Sequence, residues 1–180
     1  MRDGNREGGR KEGFSLLEIM IVIAILGTLA ALAVSSFMEL NEKYRVESET
    51  KQFYADIMDI RGRAMQRNRY YFVRIKTNQL GYETYEDSNP APDGNRSYDA
   101  GVDNQVVNVT IKHTMTPVLP GGATNFEFNI HGIASVTGYV RLATSAGSTA
   151  RPDYDCITIR ETRIKMGQYS NGGGGTCVEK

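Results

Sequence analysis

A run of twenty residues without a charged side chain extends from Ile19 to Met38. It consists mostly of Ile, Leu, Ala and Val, and its polar interruptions are Thr28, Ser35 and Ser36. As an α-helix it would rise roughly 30 Å, which matches the hydrocarbon core of a bilayer. The run is longer than the apolar part of a cleaved signal peptide, and buried core helices rarely avoid charge over such a length. The sequence therefore predicts a membrane-spanning helix.

The charges flanking this run predict its orientation. Over all 180 residues, 21 basic and 21 acidic side chains cancel, so the overall charge does not point to a nucleic-acid partner. The first thirteen residues are polar and rich in glycine, and their basic members are Arg2, Arg6, Arg10 and Lys11. Basic residues just before a span hold that end in the cytoplasm, so we expect the C-terminal bulk to be exported.

Glu18 lies where a carboxylate is costly. At the start of a membrane span it costs a few kcal/mol unless it reaches water or a partner. The helix dipole favours an anion at the N-terminus, and this alone would explain Glu18 in an ordinary anchor. It does not explain the residues around Glu18.

The segment GFSLLE, from Gly13 to Glu18 and followed by the apolar run, resembles the type III signal of type IV prepilins and type II secretion pseudopilins. In that family a prepilin peptidase cuts after the glycine and methylates the amine of the new first residue. The resemblance implies cleavage between Gly13 and Phe14, with Phe14 as the N-methylated terminus. A glycine before the cut leaves the backbone open to a protease.

The resemblance also implies a role for Glu18 in assembly. In family filaments the glutamate of one subunit pairs with the N-terminal amine of a neighbour. Glu18 and Phe14 are four residues apart and would share one helix face. Two charges that are costly alone in lipid become tolerable together, which favours the addition of subunits in register. Many pilins carry a proline eight residues after the glycine of the span, but Ser35 stands there after Gly27, which favours a minor pilin or pseudopilin.

The helix is predicted to continue to about Arg67, because no proline occurs between Asn41 and Arg67 and one face is apolar at a spacing of three to four residues. That face consists of Val46, Thr50, Phe53, Ile57, Ile60 and Ala64. The pairs Glu39–Lys43 and Glu47–Lys51 have the spacing of favourable helical ion pairs.

After Asn68 the pattern changes to that of β-strands. The predicted strands are 70–76 and 80–85, forming a hairpin around Thr77 and Asn78, then 105–113, 125–129, 138–144, 154–160 and 163–169. Glu86 to Asn104 is predicted to be a loop. The fold class is α+β, with one long helix packed on an antiparallel sheet, which matches the pilin fold. The predicted segments are a leader (1–13), a membrane or filament-core half of the helix (14–40), an amphipathic half (41–67) and an exported domain (68–180).

Several segments resemble the H-type minor pseudopilins and the T- and U-type minor fimbrial pilins. These segments are 60–68, 126–132, 138–142 and 156–165. The Gly-Arg that this group usually has near its last hairpin appears here as Thr162-Arg163.

Two cysteines, Cys156 and Cys177, fall in the predicted exported domain, where oxidation is permitted. If the last hairpin turns at Glu161 and Thr162, Cys156 lies opposite about Gly167, and the segment 170–175 can carry Cys177 back. We therefore expect a disulfide worth roughly 3 kcal/mol in the chain-entropy model. Two thiols alone supply too few ligands for a metal.

No catalytic pattern is found. His113 and His131 have no HxxxH or CxxC partners, so surface or packing roles are expected, and the glycines at 172–175 indicate a linker. We expect no enzyme activity, cofactor or metal. Four aspartates in the long loop could bind calcium, but their spacing fits no EF-hand and favours a solvated loop. They are Asp87, Asp93, Asp99 and Asp103.

Two groups of basic residues favour DNA as an alternative partner. One runs from Arg61 to Lys76, and the other is Arg160, Arg163 and Lys165. T-type minor pilins, which this chain resembles, are associated with DNA uptake and carry basic residues in this hairpin. Such patches bind phosphates even at zero net charge, but nearby acidic residues could neutralise them or the charges could pair subunits.

The sequence as a whole predicts a structural subunit of a type IV pilus or a type II secretion pseudopilus. The expected partners are other pilin or pseudopilin subunits, the prepilin peptidase, and the inner-membrane lipid and assembly platform. Exported proteins or DNA are further partners to consider. The expected location is the inner membrane, with one span and a periplasmic domain, and then the filament. A plain membrane-anchored exported domain is the remaining alternative.

Overall fold

The computed structural model of the protein describes residues 13–91, 94–172 and 175–180. The predicted leader lies outside the described residues except for Gly13. Contacts along the chain divide it into two compact units, Met1–Met38 and Glu39–Lys180. One helix, α1 (Leu16–Arg67), begins in the first unit and ends in the second.

The second unit contains nine strands in the part of the chain that the structure describes. They are β1 (Tyr71–Ile75), β2 (Gly81–Glu86), β3 (Asn104–Thr110), β4 (Met115–Val118), β5 (Asn125–Phe128), β6 (Gly138–Leu142), β7 (Cys156–Ile159), β8 (Ile164–Ser170) and β9 (Thr176–Glu179). The predicted α+β class with antiparallel strands is confirmed. The strands form two sheets rather than one, in the orders β3-β2-β1-β5 and β4-β6-β7-β8-β9.

The end of α1 is fixed by an asparagine. Asn68 has a positive φ of 55°, a left-handed conformation that asparagine tolerates better than most residues. The N–H of Arg69 then reaches back to the carbonyl of Ala64 at 3.3 Å. This is the long bond of a Schellman ending, and it turns the chain from the helix into β1.

The hairpin predicted around Thr77 and Asn78 is confirmed. β1 and β2 pair antiparallel, and the N–H of Lys76 donates to the carbonyl of Gly81 at 3.0 Å to close the turn. Two strands were not predicted. β4 contains Pro117 and lies at the edge of its sheet, where a missing N–H is tolerated. β9 is a four-residue edge strand that follows the glycine-rich segment.

The predicted apolar stripe of the helix is confirmed. Val46, Thr50, Phe53, Ile57, Ile60 and Ala64 are each at most 1% exposed. The apolar members share one core cluster with side chains from both sheets, including Tyr71 and Val73 of β1 and Ile157 of β7. The second half of α1 is therefore the element around which both sheets pack.

The predicted pairing of the cysteines is present as a disulfide between Cys156 and Cys177, whose Cα atoms are 6.0 Å apart. Cys156 lies opposite Gly167 in the β7–β8 pairing, as the predicted hairpin required. The bridge passes over β8 at this glycine. A Cβ at position 167 would lie 2.3 Å from the carbonyl oxygen of Val178 and 2.9 Å from the Sγ of Cys177.

Candidate assembly site

The N-terminal half of α1 exposes its apolar side chains. Phe14, Leu16 and Phe37 are 80%, 78% and 68% exposed, and every described side chain from Gly13 to Asn41 is exposed. By length and composition this helix could cross a membrane. Apolar surface on this scale is costly in water, so this segment requires lipid or another protein around it.

The start of α1 is capped by Ser15. Its hydroxyl oxygen accepts the N–H of Glu18 at 3.4 Å, and its carbonyl accepts the N–H of Ile19 at 3.2 Å. Glu18 is in the first turn, where the helix dipole favours a negative charge. Ser15 and Glu18 have the S-x-x-E spacing of a capping box, a signal in the sequence that our prediction missed. Glu18 thus has a local stabilising effect in addition to any role between subunits.

Packing among the residues that the structure describes does not require a glycine at position 13. A Cβ at this position would meet no other atom within 4 Å. The structure therefore gives no internal reason for a glycine immediately before Phe14.

A polar clasp attaches the beginning of the packed half of α1 to the loops beside it. We use this name for Glu42, Lys43, Glu47 and Glu49 of α1 together with His113, Ser145 and Asp153. At its centre, the Nδ1 of His113 lies 2.7 Å from Glu49 and its Nε2 lies 3.1 Å from Glu42. His113 is 2% exposed, so of the two roles expected for the histidines, surface or packing, it has the packing role.

Both ring nitrogens of His113 face carboxylate oxygens. Backbone N–H groups add to the clasp: Lys112 and His113 donate to Glu49 at 3.1 and 3.3 Å, and Ser145 donates to Glu42 at 2.7 Å. Two loops that follow β3 and β6 are thereby fixed to one helix face.

The carboxylate of Glu42 is stabilised as an anion. Burial alone raises its pKa, but hydrogen bonds from Ser145 and His113, together with the charge of His113, outweigh burial and lower the pKa from 4.5 to about 2. The negative charge is therefore retained well below neutral pH.

The remaining ion pairs of the clasp differ in part from those expected. Lys51 pairs with Glu47 at 3.5 Å, as predicted. Lys43 does not pair with Glu39 but with Asp153 at 2.9 Å, and Glu39 bonds to the hydroxyl of Thr149. The backbone N–H of Asp153 also donates to Glu47 at 2.8 Å. The clasp therefore joins residues about 100 positions apart, which a helical spacing rule cannot detect.

The basic group of the last hairpin converges on one carboxylate. Nitrogens of Arg160, Arg163 and Lys165 lie 3.2, 2.5 and 3.6 Å from the carboxylate of Glu179 in β9. The three cations are 41–58% exposed, so they remain accessible to solvent. Because the single carboxylate of Glu179 balances only one of their three positive charges, this surface remains basic.

The other basic group, from Arg61 to Lys76, is dispersed among internal partners. Arg67 and Arg69 both pair with the buried Glu86, at 2.7 and 3.3 Å, and Arg63 pairs with Asp59. Arg61 donates to the carbonyl of Thr162 at 3.0 Å and so links α1 to the β7–β8 turn. This group is not a continuous phosphate-binding surface.

Two aspartates of the long loop, Asp87 and Asp103, are structural. Asp87 is fully buried and accepts the N–H groups of Asn95 and Arg96, and Asp103 is 6% exposed and accepts those of Ser88 and Asp99. The expectation of a solvated loop is therefore wrong for these two residues, since their oxygens hold the loop backbone in place. Asp93 lies outside the described residues. Among the residues that the structure covers, no group of acidic, histidine or cysteine side chains could hold a metal ion.

Comparison with known sequences gives matches at the N-terminus and along about half of the chain. Residues 9–34 match the family model of the prokaryotic N-terminal methylation motif. The chain is 33% identical over 92 residues to type II secretion system core protein G of Klebsiella pneumoniae, which covers 51% of this chain and 62% of that protein. It is 55% identical over 38 residues to the protein of the same name from Pectobacterium carotovorum subsp. carotovorum, covering 21% of this chain and 24% of that protein. The matched part thus spans less than two thirds of either relative.

Comparison with solved structures identifies the fold. The chain is similar to the crystal structure of the minor pseudopilin EpsH from the type II secretion system of Vibrio cholerae, with a TM-score of 0.50 and 12% sequence identity. The match covers 69% of this chain and 96% of that structure. The chain therefore shares the fold of that structure, in which a long N-terminal helix packs on antiparallel sheets.

Proposed function

We propose that this chain, which is a type IV pilin-like protein, works as a structural subunit of a type II secretion pseudopilus or a type IV pilus. The observation that carries the proposal is the apolar half of α1, whose described side chains from residue 13 to residue 41 are exposed. Lipid surrounds this half before assembly, and neighbouring subunits surround it in the filament. The action of the protein is assembly rather than chemistry.

Processing comes first in this proposal. A prepilin peptidase cuts between Gly13 and Phe14 and methylates the new amine of Phe14. The match of residues 9–34 to the methylation motif supports this step.

Glu18 then sets the register between neighbouring subunits in the filament. The amine of Phe14 would add positive charge to the helix end that is already positive, so a nearby anion is needed. The carboxylate of Glu18 in one subunit pairs with the Phe14 amine of its neighbour, and the two charges together replace their lost hydration. Other pilin or pseudopilin subunits are thus the main partners.

The machine we favour is a type II secretion system. Both curated relatives carry that description in their names, and the similar solved structure is also a type II secretion protein. In this setting α1 is held in the inner membrane by a single span, the domain from residue 68 onward is periplasmic, and the assembly platform and exported proteins are further partners. A place in a type IV pilus would keep the same processing and the same helix.

Mass spectrometry of the purified mature protein tests the processing step. We expect a chain that begins at Phe14 and carries one added methyl group. A protein that retains Gly13 and the residues before it would identify a plain membrane anchor and overturn the proposal.

Three variants separate the assembly role of Glu18 from its capping role. Glu18→Gln keeps a side chain that suits a capping box but removes the charge, whereas Ser15→Ala removes the cap and keeps the charge. We expect Glu18→Gln and Glu18→Ala to abolish incorporation into filaments, and Ser15→Ala to reduce it much less. Normal incorporation of Glu18→Gln would show that the charge is not needed.

DNA binding is a second candidate function, favoured by the convergence of Arg160, Arg163 and Lys165 on Glu179. Phosphate oxygens would pair with the two cationic charges that Glu179 leaves unbalanced. In a gel-shift assay, Arg163→Ala and Lys165→Ala should each weaken DNA retention, and raising the salt concentration should do the same. An unchanged shift in both variants would remove this candidate.

A further inference from the structure

A polar cavity of about 730 Å³ lies beside the end of β6, within the second unit of the chain. Its lining includes Arg141 of β6, Asp155, Gln168 and Tyr169 of β8, together with Arg151 and Lys180. This volume falls in the range of cavities that bind small ligands or single side chains of a partner. Gln168 closes one wall by donating to the carbonyl of Pro152 at 2.7 Å.

The guanidinium of Arg141 is held in place by stacking on an aromatic ring. Its guanidinium carbon lies 3.8 Å from the centre of the Tyr169 ring, a stacked arrangement that fixes the group. Among residues 13–91, 94–172 and 175–180, it forms no salt bridge, and its Nε is buried without a hydrogen-bond partner. A guanidinium has five N–H donors in a planar fork, and these are oriented here before any ligand arrives.

The other charges of the cavity favour an anion. Arg141, Arg151 and Lys180 supply positive charge, and the carboxylate in the lining is Asp155. Asp155 is occupied, since it accepts the N–H of Tyr169 at 2.5 Å. The positive charges of the lining outnumber its negative charge, so an anion entering the cavity would be attracted.

The cations of the last hairpin provide a contrast. Arg163 lies in the same unit, yet its guanidinium already has a carboxylate 2.5 Å away in Glu179. Arg141 has a stacking partner instead of an anionic one. The two arginines therefore differ in what they can still bind.

We propose that this cavity binds an oxyanion, a carboxylate or a phosphate, with Arg141 as its anchor in a two-bond interaction and Tyr169 holding the guanidinium flat. Two oxygens of either group match the guanidinium fork. The group could belong to a free small acid or to the end or an acidic side chain of a polypeptide. This site goes beyond the filament role and does not depend on whether the chain polymerises.

The test is a titration of the full chain in detergent micelles, followed by NMR or calorimetry. The probes are acetate, inorganic phosphate, and a short peptide with either a free or an amidated C-terminus. We expect saturable binding of acetate with a Kd of about 1 mM or weaker, and tighter binding of the free peptide than of the amidated one if the natural ligand is a polypeptide end. Equal binding of acetate and the two peptides would indicate a free acid or an acidic side chain as the source.

Variants assign the binding to Arg141. Arg141→Gln should weaken acetate binding at least about tenfold, and Arg141→Lys, which keeps the charge but loses the fork, should also weaken it. Arg163→Gln is the matched control and should bind like the original protein. Circular dichroism and an intact disulfide by mass spectrometry check folding, and Arg141→Lys replaces Arg141→Gln if the latter fails to fold.

Two results would overturn the proposal. They are the absence of saturable binding of both acetate and phosphate, and an effect of Arg163→Gln as large as that of the Arg141 variants. Tighter binding of phosphate than of acetate would identify a phosphate group as the natural ligand.

Discussion

The polar clasp and the apolar stripe attach the same helix to the sheets by different forces. In the clasp, His113 lies between Glu42 and Glu49, and charged hydrogen bonds hold the loops. From Phe53 to Ala64, the stripe instead buries apolar side chains almost completely. Apolar burial has no direction and does not depend on pH, whereas the clasp requires particular ionised groups in particular positions. The clasp can therefore open locally while the stripe keeps the domain folded.

The largest effect is expected from Phe53→Ala. Phe53 is fully buried and packs its ring 4.6 Å from that of Tyr82, so truncation would leave a cavity in the core. We expect a loss of about 3–5 kcal/mol in the free energy of unfolding. Urea unfolding of the full chain in detergent measures it, with Met58→Ala, at a partly exposed position of α1, as the control.

A smaller and more local effect is expected from His113→Ala. This change removes two charge-assisted hydrogen bonds and leaves two carboxylates facing one another. We expect a loss of about 1.5–3 kcal/mol. Hydrogen exchange should accelerate at the N–H groups of Lys112 and Ser145 but not in β7. The control is His131→Ala, at an exposed histidine, which should change neither the free energy of unfolding nor the rates of hydrogen exchange. If His113→Ala accelerated exchange throughout the sheets, the clasp would not be a local structure.

The acid dependence of the clasp follows from Glu42. Its pKa is lower in the folded protein, so its contribution to stability is complete above the usual value of 4.5 and is lost as the pH falls towards about 2. At neutral pH we expect Glu42→Gln to cost less than His113→Ala, because the bond between His113 and Glu49 remains. Unfolding of the variant should depend less on pH between about 4.5 and 2 than that of the original protein. An equal dependence in both would assign acid sensitivity to other carboxylates.

The smallest effect is expected at the rim of the clasp. Lys51 is 53% exposed and pairs with Glu47 at 3.5 Å. Lys51→Ala should cost only about 0.3–0.5 kcal/mol, and high salt should abolish the difference. A loss comparable to that of His113→Ala would mean that the rim and the centre of the clasp act as one network.

The same contrast explains what the sequence could predict. The sequence predicted the stripe because its residues repeat at helical spacing. Residues with this spacing lie on one face of the helix, and the fold buries that face. The clasp was missed because its partners, such as Glu42 and Ser145, are distant in sequence and their pairing depends on the finished fold. The expected Glu39–Lys43 pair failed for the same reason, since Asp153 is the better partner of Lys43 once the loop is in place.

The strands show a similar division. The β1–β2 hairpin was predicted because its turn and alternation are local. β4 was missed because proline at position 117 argues against a strand unless the strand is known to lie at a sheet edge. The separation into two sheets was missed because it depends on strand pairings that cannot be inferred from the sequence. In the candidate assembly site, the motif around Gly13, Phe14 and Glu18 could be recognised in the sequence. The cap formed by Ser15 was overlooked, although the S-x-x-E spacing of Ser15 and Glu18 indicates it.

The crossing of the disulfide over Gly167 places an unusual demand on a position that contributes no side chain to the core. The space there admits a hydrogen atom and nothing larger, because Cys177 and the backbone of Val178 occupy it from the next strand. Even an added methyl group would force β9 and its cysteine away from β8. The disulfide that holds β9 in place therefore depends on glycine at position 167 as much as on the two cysteines.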